Sequence, residues 1–385
     1  MNIRIKIACA IALFLPLPLA AQDLQADVAA GIAKIRADND LPAIGAIVLV
    51  DGEQRALAVE GLRRVSGEDE ATVDDLWHIG SITKSMTATL AATLVEDGTF
   101  DWDMSLADML PDMAAEMDPQ WRAVTLEQLL THTSGAPGNF SIFVQRHWPD
   151  TREELMAKRR DILAGTLAKP PVTEPGTAYQ YSNVGFTIVG HAIETTLGIP
   201  WEQAMDERVF TPLGLDSAGF GAPKGEQPWG HGSFFGRKIA KNPDSNSADN
   251  TPVMGPAGTV HMSLQDLAAW GNHHLMGQLD ASDGLLEPET YQYLHMPILE
   301  DYAKGWVAWN RDWGGETDAE GDINVIWHNG SNTMWYALVV QLPEKNAVIA
   351  IVTNDGTSNQ AKKDFFTLTE TIATSLPQWD GTSEE

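Results

Sequence analysis

Segments with the apolar, β-branched character of strands fall at the two ends of this chain and leave a long helical stretch between them, and that distribution is the strongest constraint on its fold. Residues 43–50, followed by Asp51-Gly52 and residues 56–59, predict a β-hairpin, preceded by a helix over 24–37 whose apolar residues recur at helical spacing. Near the other end, residues 323–327, 334–342 and 347–352 predict three further strands, the last two joined by Pro343-Glu344-Lys345-Asn346, and 361–373 predicts a closing helix. Short links favour antiparallel neighbours. Helices are expected between the two ends over 81–96, 126–130, 151–164, 185–196 and 263–275. The simplest fold is α/β of the α+β kind: an antiparallel sheet of about five strands built from both termini, flanked by helices, with an inserted mainly helical region. Residues 223–250, rich in Gly, Pro, Asn and Ser, read equally as a loop over a site or as a linker.

A composition of 43% apolar and 20% charged residues over 385 positions supports a sizeable core and excludes a disordered or disulfide-stapled chain. Twenty-five basic against 53 acidic residues leave a formal charge of −28, which repels phosphate backbones and excludes nucleic acid as a partner. The acid excess reads as solubility, with an attracted cationic ligand as the alternative. Residues 1–21 have the form of a secretory signal, with Arg4 and Lys6 at the basic start, an apolar run over 7–15, and small residues before Gln22. The mature protein is then expected to begin near Gln22 as a single domain over 22–385, with the sheet region in 22–75 and 290–385 and the helical region in 76–289. It would be periplasmic or secreted and hold no stable membrane anchor after cleavage, because the apolar run is too short to span and no later one approaches 18 residues. Cys9 is the only cysteine and lies in the signal, which excludes a cysteine nucleophile and a thiolate metal site.

The sharpest chemical segment is Trp77-His78-Ile79-Gly80-Ser81-Ile82-Thr83-Lys84-Ser85-Met86, where a glycine turn feeds a helix that is mostly apolar afterwards. Ser81 and Lys84 stand three apart and meet on one helical face. An ammonium in an apolar helix calls for a reason, and activation of the serine is one, since desolvation lowers a lysine's pKa towards that of a general base. An N-capping serine beside a snorkelling lysine is the bland alternative. Tyr181-Ser182-Asn183 precedes another helix with its polar ends free; a phenol beside a cation can carry protons, and an amide can hold both the lysine and a substrate carbonyl. His328-Asn329-Gly330-Ser331 closes a predicted strand, Gly330 permitting close approach of a bound molecule.

In this order the three segments resemble the serine hydrolases related to class C β-lactamases and serine-type D-alanyl-D-alanine carboxypeptidases, and the likeness covers most of the mature chain. Leu129-Leu130-Thr131-His132-Thr133-Ser134-Gly135, Gly255-Pro256-Ala257-Gly258-Thr259 and Gly305-Trp306 resemble further elements of that family. The resemblance implies a β-lactamase/DD-peptidase-like fold with Ser81 as acylated nucleophile, Lys84 its proton partner, Tyr181 base or acid, and Asn183 a ligand of substrate and lysine. It also implies that His328 and Gly330 line the acyl strand and that the backbone N–H groups of Ser81 and Ser331 form the oxyanion hole. One departure stands out: class C β-lactamases usually carry Lys-Thr-Gly in the third box, and this sequence has no such triplet. His328 in that place is expected to pull on a substrate carboxylate more weakly and in a pH-dependent way, its ordinary pKa lying near ~6.5. This tilts the reading towards the family's peptidases and esterases.

No Gly-x-Ser-x-Gly elbow, Ser-Asp-Asn or His-Glu-x-x-His motif occurs, and neither metal nor cofactor is expected. Trp306, Trp309 and Trp335 are the tryptophans expected to wall the pocket. The function expected is cleavage of an amide or ester bond in a small-molecule or peptide substrate. A non-catalytic penicillin-binding or sensor module of the same fold is the alternative.

Overall fold

The computed structural model describes residues 19–141, 144, 151–280, 284–313, 322–379 and 381. Most of the expected signal lies outside these, and the first helix, α1 (Leu19–Asn39), runs across the expected junction at Gln22. The hairpin of β1 (Ala43–Val50) and β2 (Glu53–Gly61) turns on Asp51 and Gly52, whose φ values of 54° and 74° match a tight two-residue turn. After β3 (Leu76–His78), a 3₁₀ turn over Gly80–Ile82 leads into α2 (Thr83–Glu96). The inserted region then supplies α3 (Leu106–Met109), α4 (Leu126–Leu130), α5 (Arg152–Leu167), α6 (Asn183–Leu197) and α7 (Trp201–Met205). It continues through β4 (Gly219–Phe220), β5 (His231–Phe234), β6 (Arg237–Ala240), α8 (Gly255–Gly258), β7 (Val260–Ser263), α9 (Leu264–Gln278) and α10 (Pro288–His295). The chain returns to the sheet as β8 (Val307–Arg311), β9 (Ile323–Gly330), β10 (Tyr336–Leu342) and β11 (Ala347–Thr353), and closes with α11 (Asn359–Ser375).

The main sheet is antiparallel, in the order β2-β1-β11-β10-β9-β8, so the two ends of the chain join where Ile47 faces Ala350. It has six strands rather than about five. The added edge strand, β8, reads Val-Ala-Trp-Asn-Arg, too short and mixed for alternation to reveal it. Both faces are covered. Ile44, Ala46 and Val48 pack with Val28 and Ile32 of α1 and Phe365 of α11, whereas Ala43, Ile47 and Leu49 join the larger core around α2 and α9. Burial on two sides is why β1 is apolar throughout, β11 is apolar up to its last residue, Thr353, and β10 is interrupted by a single polar residue, Gln341.

Residues 223–250 are no linker: β5 and β6 form a hairpin within them, in register from His231 opposite Ala240, and the loop after it reaches a cleft at Asp249 and Asn250. A second small sheet, β3-β7-β4, pairs His78 with His261 and so seats the approach to Ser81 against the start of α9.

Candidate active site

Gly80 adopts φ 53°, a left-handed conformation that a side chain would strain, and this sharp turn puts Ser81 at the head of α2. Thr83 locks the turn, its hydroxyl donating to Gly80 O at 2.7 Å and accepting from Val260 N at 3.2 Å. One helical step later Lys84 reaches back, Nζ lying 3.0 Å from Ser81 Oγ. Lys84 is fully buried, and its other hydrogen bonds go to Asn183 Oδ1 at 2.7 Å and Ala257 O at 2.6 Å. Both acceptors are uncharged. Burial therefore pushes the ammonium well below its usual range.

The start of α6 brings in the second segment. Ser182 caps it, accepting from Gly185 N at 2.9 Å and donating to Pro137 O at 2.7 Å, which fixes Tyr181 just before the helix and Asn183 at its first residue. Asn183 Nδ2 donates to Asn139 Oδ1 at 2.6 Å, so its carbonyl is left turned towards Lys84. The Tyr181 ring stands 4.9 Å from Lys84 Nζ. Desolvation raises the Tyr181 phenol well above its usual value, a hydrogen bond with Ser81 opposing that rise only in part.

The third segment arrives at the end of β9. A Cβ on Gly330 would lie 1.9 Å from Ile79 O and 2.5 Å from Ser81 N, and a Cβ on Gly80 would lie 2.2 Å from Ser331 N. Two glycines thus let the turn and the strand touch backbone to backbone, which places the N–H groups of Ser81 and Ser331 at one corner. The Ser331 hydroxyl is committed to structure, donating to Trp335 O at 2.6 Å and accepting from Thr333 N at 2.9 Å. Ser81, Asn183 and Ser331 open onto a cleft of about 300 Å³ whose other polar lining includes Asn139, Asn250, Asn332 and Asp249. No lysine or arginine lines it among the described residues.

A family model described as Beta-lactamase matches residues 28–370. The chain belongs to the β-lactamase family. This β-lactamase-family serine hydrolase is 27% identical over 339 residues to penicillin-binding protein 4 of Amycolatopsis lactamdurans, covering 86% of each chain. It is 26% identical over 313 residues to a D-alanyl-D-alanine-carboxypeptidase/endopeptidase of Escherichia coli, covering 78% of this chain and 76% of the relative. Its fold matches that of a class C β-lactamase from Rhodobacter sphaeroides with a TM-score of 0.70 at 21% identity, over 90% of this chain and 98% of the other.

Two expectations for this β-lactamase-family chain need correction. His328 does not present a pH-dependent cation to the cleft: it is buried, Nδ1–H donates to Asn329 O at 2.6 Å, and Nε2 faces the Tyr302 hydroxyl at 3.1 Å. Burial, aided by the nearby Lys84, pushes it down to about 3, so it is neutral at any ordinary pH. Nor do the three tryptophans wall the cleft. Trp306 is buried against His274 and His295, Trp335 meets Trp77 edge-on, and Trp309 packs on Trp327 and Phe366 at the other face of the sheet.

Sequence reasoning named the segment holding His132 but gave that residue no place in the site. Its ring lies 4.3 Å from Tyr181 and 4.4 Å from Tyr302, and Nδ1 accepts from Ser182 N at 3.1 Å. The imidazole therefore backs the phenol while bracing the α6 cap. Its left-handed φ of 61°, unusual for histidine, is a feature only coordinates reveal.

Proposed function

We propose that this serine hydrolase cleaves an amide or ester bond through an acyl-enzyme on Ser81. Neutral Lys84 takes the Ser81 proton as Oγ attacks the carbonyl carbon, and the backbone N–H groups of Ser81 and Ser331 hold the oxyanion. Tyr181 gives its phenolic proton to the leaving nitrogen or oxygen and is reprotonated from Lys84; water then attacks the ester and releases the acid. Asn183 holds Lys84 and turns its amide to the substrate. The observation that carries this reading is the set of partners around Lys84 Nζ. All three are uncharged oxygens, Ser81 Oγ at 3.0 Å, Asn183 Oδ1 at 2.7 Å and Ala257 O at 2.6 Å, so burial sets the charge of the amine, and in its neutral form the lone pair can face the Ser81 hydroxyl. The opposed shifts of the two groups favour Lys84 as base and Tyr181 as acid.

The substrate is a small molecule or peptide. With His328 neutral and no lysine or arginine along the cleft among the described residues, neutral esters and amides are favoured over β-lactams and over peptides with a carboxylate beside the scissile bond. The signal-like start argues for work in the periplasm or outside the cell, as a single mature domain from about Gln22, and among the described residues no helix is long and apolar enough to cross a membrane.

The test compares a p-nitrophenyl ester, a D-Ala-D-Ala peptide and nitrocefin, with fluorophosphonate labelling read by mass spectrometry. The expected order is ester first and nitrocefin last, with label on Ser81 and both turnover and label lost in Ser81→Ala. Turnover surviving in Ser81→Ala would overturn the nucleophile; nitrocefin as the best substrate would overturn the specificity; a lasting adduct without turnover would mark a sensor.

A further inference from the structure

The Asp249 carboxylate lies in the wall of the cleft with its side chain only 3% exposed, and a single one of its oxygens gathers three arms of the site. Oδ1 is 2.8 Å from His78 Nε2, accepts from Asn332 Nδ2 at 2.9 Å, and accepts from its neighbour Asn250 N at 2.6 Å. His78 is fully buried, and its Nδ1 accepts from Gly80 N at 3.1 Å, so the ring proton sits on Nε2, which lies against the carboxylate without aligning a hydrogen bond to it. The first arm therefore ends on Gly80, whose carbonyl side leads directly into the Ser81 N–H. The second ends on Asn332, which follows Ser331 and whose Oδ1 accepts from Met334 N and Trp335 N, both at 3.2 Å. The third runs through Asn250, whose Nδ2 donates to Gly258 O at 2.9 Å, next to the Ala257 carbonyl that receives Lys84. These arms come from β3, the loop after β9, and the segment before α8, which meet at Asp249.

We infer that Asp249 is a positioning residue that sets the spacing between the two oxyanion donors and the acceptor holding Lys84. It does not touch the reacting atoms. A carboxylate suits the task because an anionic acceptor draws several N–H donors onto one oxygen more strongly than a neutral one does, and burial keeps water from competing. The role rests on the acyl-enzyme reading above, since it matters only if Ser81 and Ser331 stabilise an oxyanion. It assigns a function to the far end of residues 223–250.

The experiment compares wild type, Asp249→Ala, Asp249→Asn and Asn332→Ala on the best ester, together with inhibition by phenylboronic acid, which forms a tetrahedral adduct on a serine. Asp249→Ala is expected to lower kcat by roughly 10- to 100-fold, of the order of a misplaced oxyanion donor, with KM changed by less than about threefold. Phenylboronic acid should weaken in step with kcat. Asp249→Asn should recover most of the loss, because its one carbonyl oxygen can still take the hydrogen bonds from Asn332 and Asn250 and keep the contact with His78. Should Asp249→Ala fail to fold, Asn332→Ala reads a smaller kcat loss of the same kind through one arm. An unchanged kcat in Asp249→Ala, or a loss that falls on KM and leaves boronate inhibition intact, would overturn the assignment. A wild type that never acylates Ser81 would instead remove the reading beneath it.

Discussion

Lys84 Nζ and Ser81 Oγ meet at 3.0 Å at the head of α2, and among the described residues no carboxylate shares the amine. A carboxylate would hold the proton on the nitrogen; two neutral oxygens do not, so desolvation prevails. Lys84→Arg should therefore cost activity by about 10³-fold or more, since a guanidinium cannot deprotonate. In the wild type, kcat/KM should climb with pH along an acid limb whose midpoint lies well below 10.5, read from steady-state rates across pH. A limb near the ordinary lysine value would contradict the assignment.

Desolvation raises the Tyr181 phenol, so it keeps its proton at neutral pH, as the proposed leaving-group acid must. Tyr181→Phe should then discriminate by leaving group: a p-nitrophenyl ester, which departs unprotonated, loses roughly tenfold, whereas the matching anilide loses about 10²- to 10³-fold. Equal losses on the two substrates would argue against a leaving-group acid.

Gly330 leaves no space for a side chain, a Cβ there lying 1.9 Å from Ile79 O. Gly330→Ala must push β9 away from the Ser81 turn and spread the two N–H donors, with an expected kcat loss of about 10²-fold or more. Fluorophosphonate labelling rates measure this directly, and a wild-type rate would show that the backbone contact is dispensable.

Arg159 is buried among Glu194, Glu202 and the carbonyls of Val253 and Pro252, the last two at 3.0 Å, just before the α8 turn that carries Ala257. Arg159→Leu strands two buried carboxylates and should destabilise the protein by about 3–5 kcal/mol, as measured by denaturant unfolding. A change under about 1 kcal/mol would mean that the cluster relaxes freely.

Acid should unfold this protein early. Desolvation lowers His132 and His274 well below 6.5, His273 to about 4, and His295 and His328 to about 3, with His231 and His261 also lowered. Each binds a proton more readily unfolded than folded, so stability is present above about 6.5 and falls with pH below it, by about 1.4 kcal/mol per pH unit for each such group. Urea midpoints at pH 7, 6 and 5 should decline steadily, while the His328 ring stays neutral by NMR. Flat midpoints would show that these rings are hydrated in the fold.

Local chemistry made much of this protein legible. The hairpin at Asp51-Gly52, the apolar strands near the C-terminus and the three-residue step from Ser81 to Lys84 all follow from periodicity, turn preference and helical geometry, which act over a few neighbouring residues. The family likeness rested on the same short segments. What sequence left open depended on which distant groups share a low-dielectric space. Whether His328 would be a cation was decided by Tyr302 and the carbonyl of Asn329 closing around it, and Trp306 and Trp335 went to the larger core, against His274 and Trp77, which come from other elements of the chain. Lys84 gained its neutral acceptors from residues 99 and 173 positions away, and Asp249 its hold on the site from the meeting of β3, β9 and α8. Spacing along the chain can place a hydroxyl beside an amine. Burial and the charge of remote neighbours, which set what that amine can do, exist only once the fold has closed.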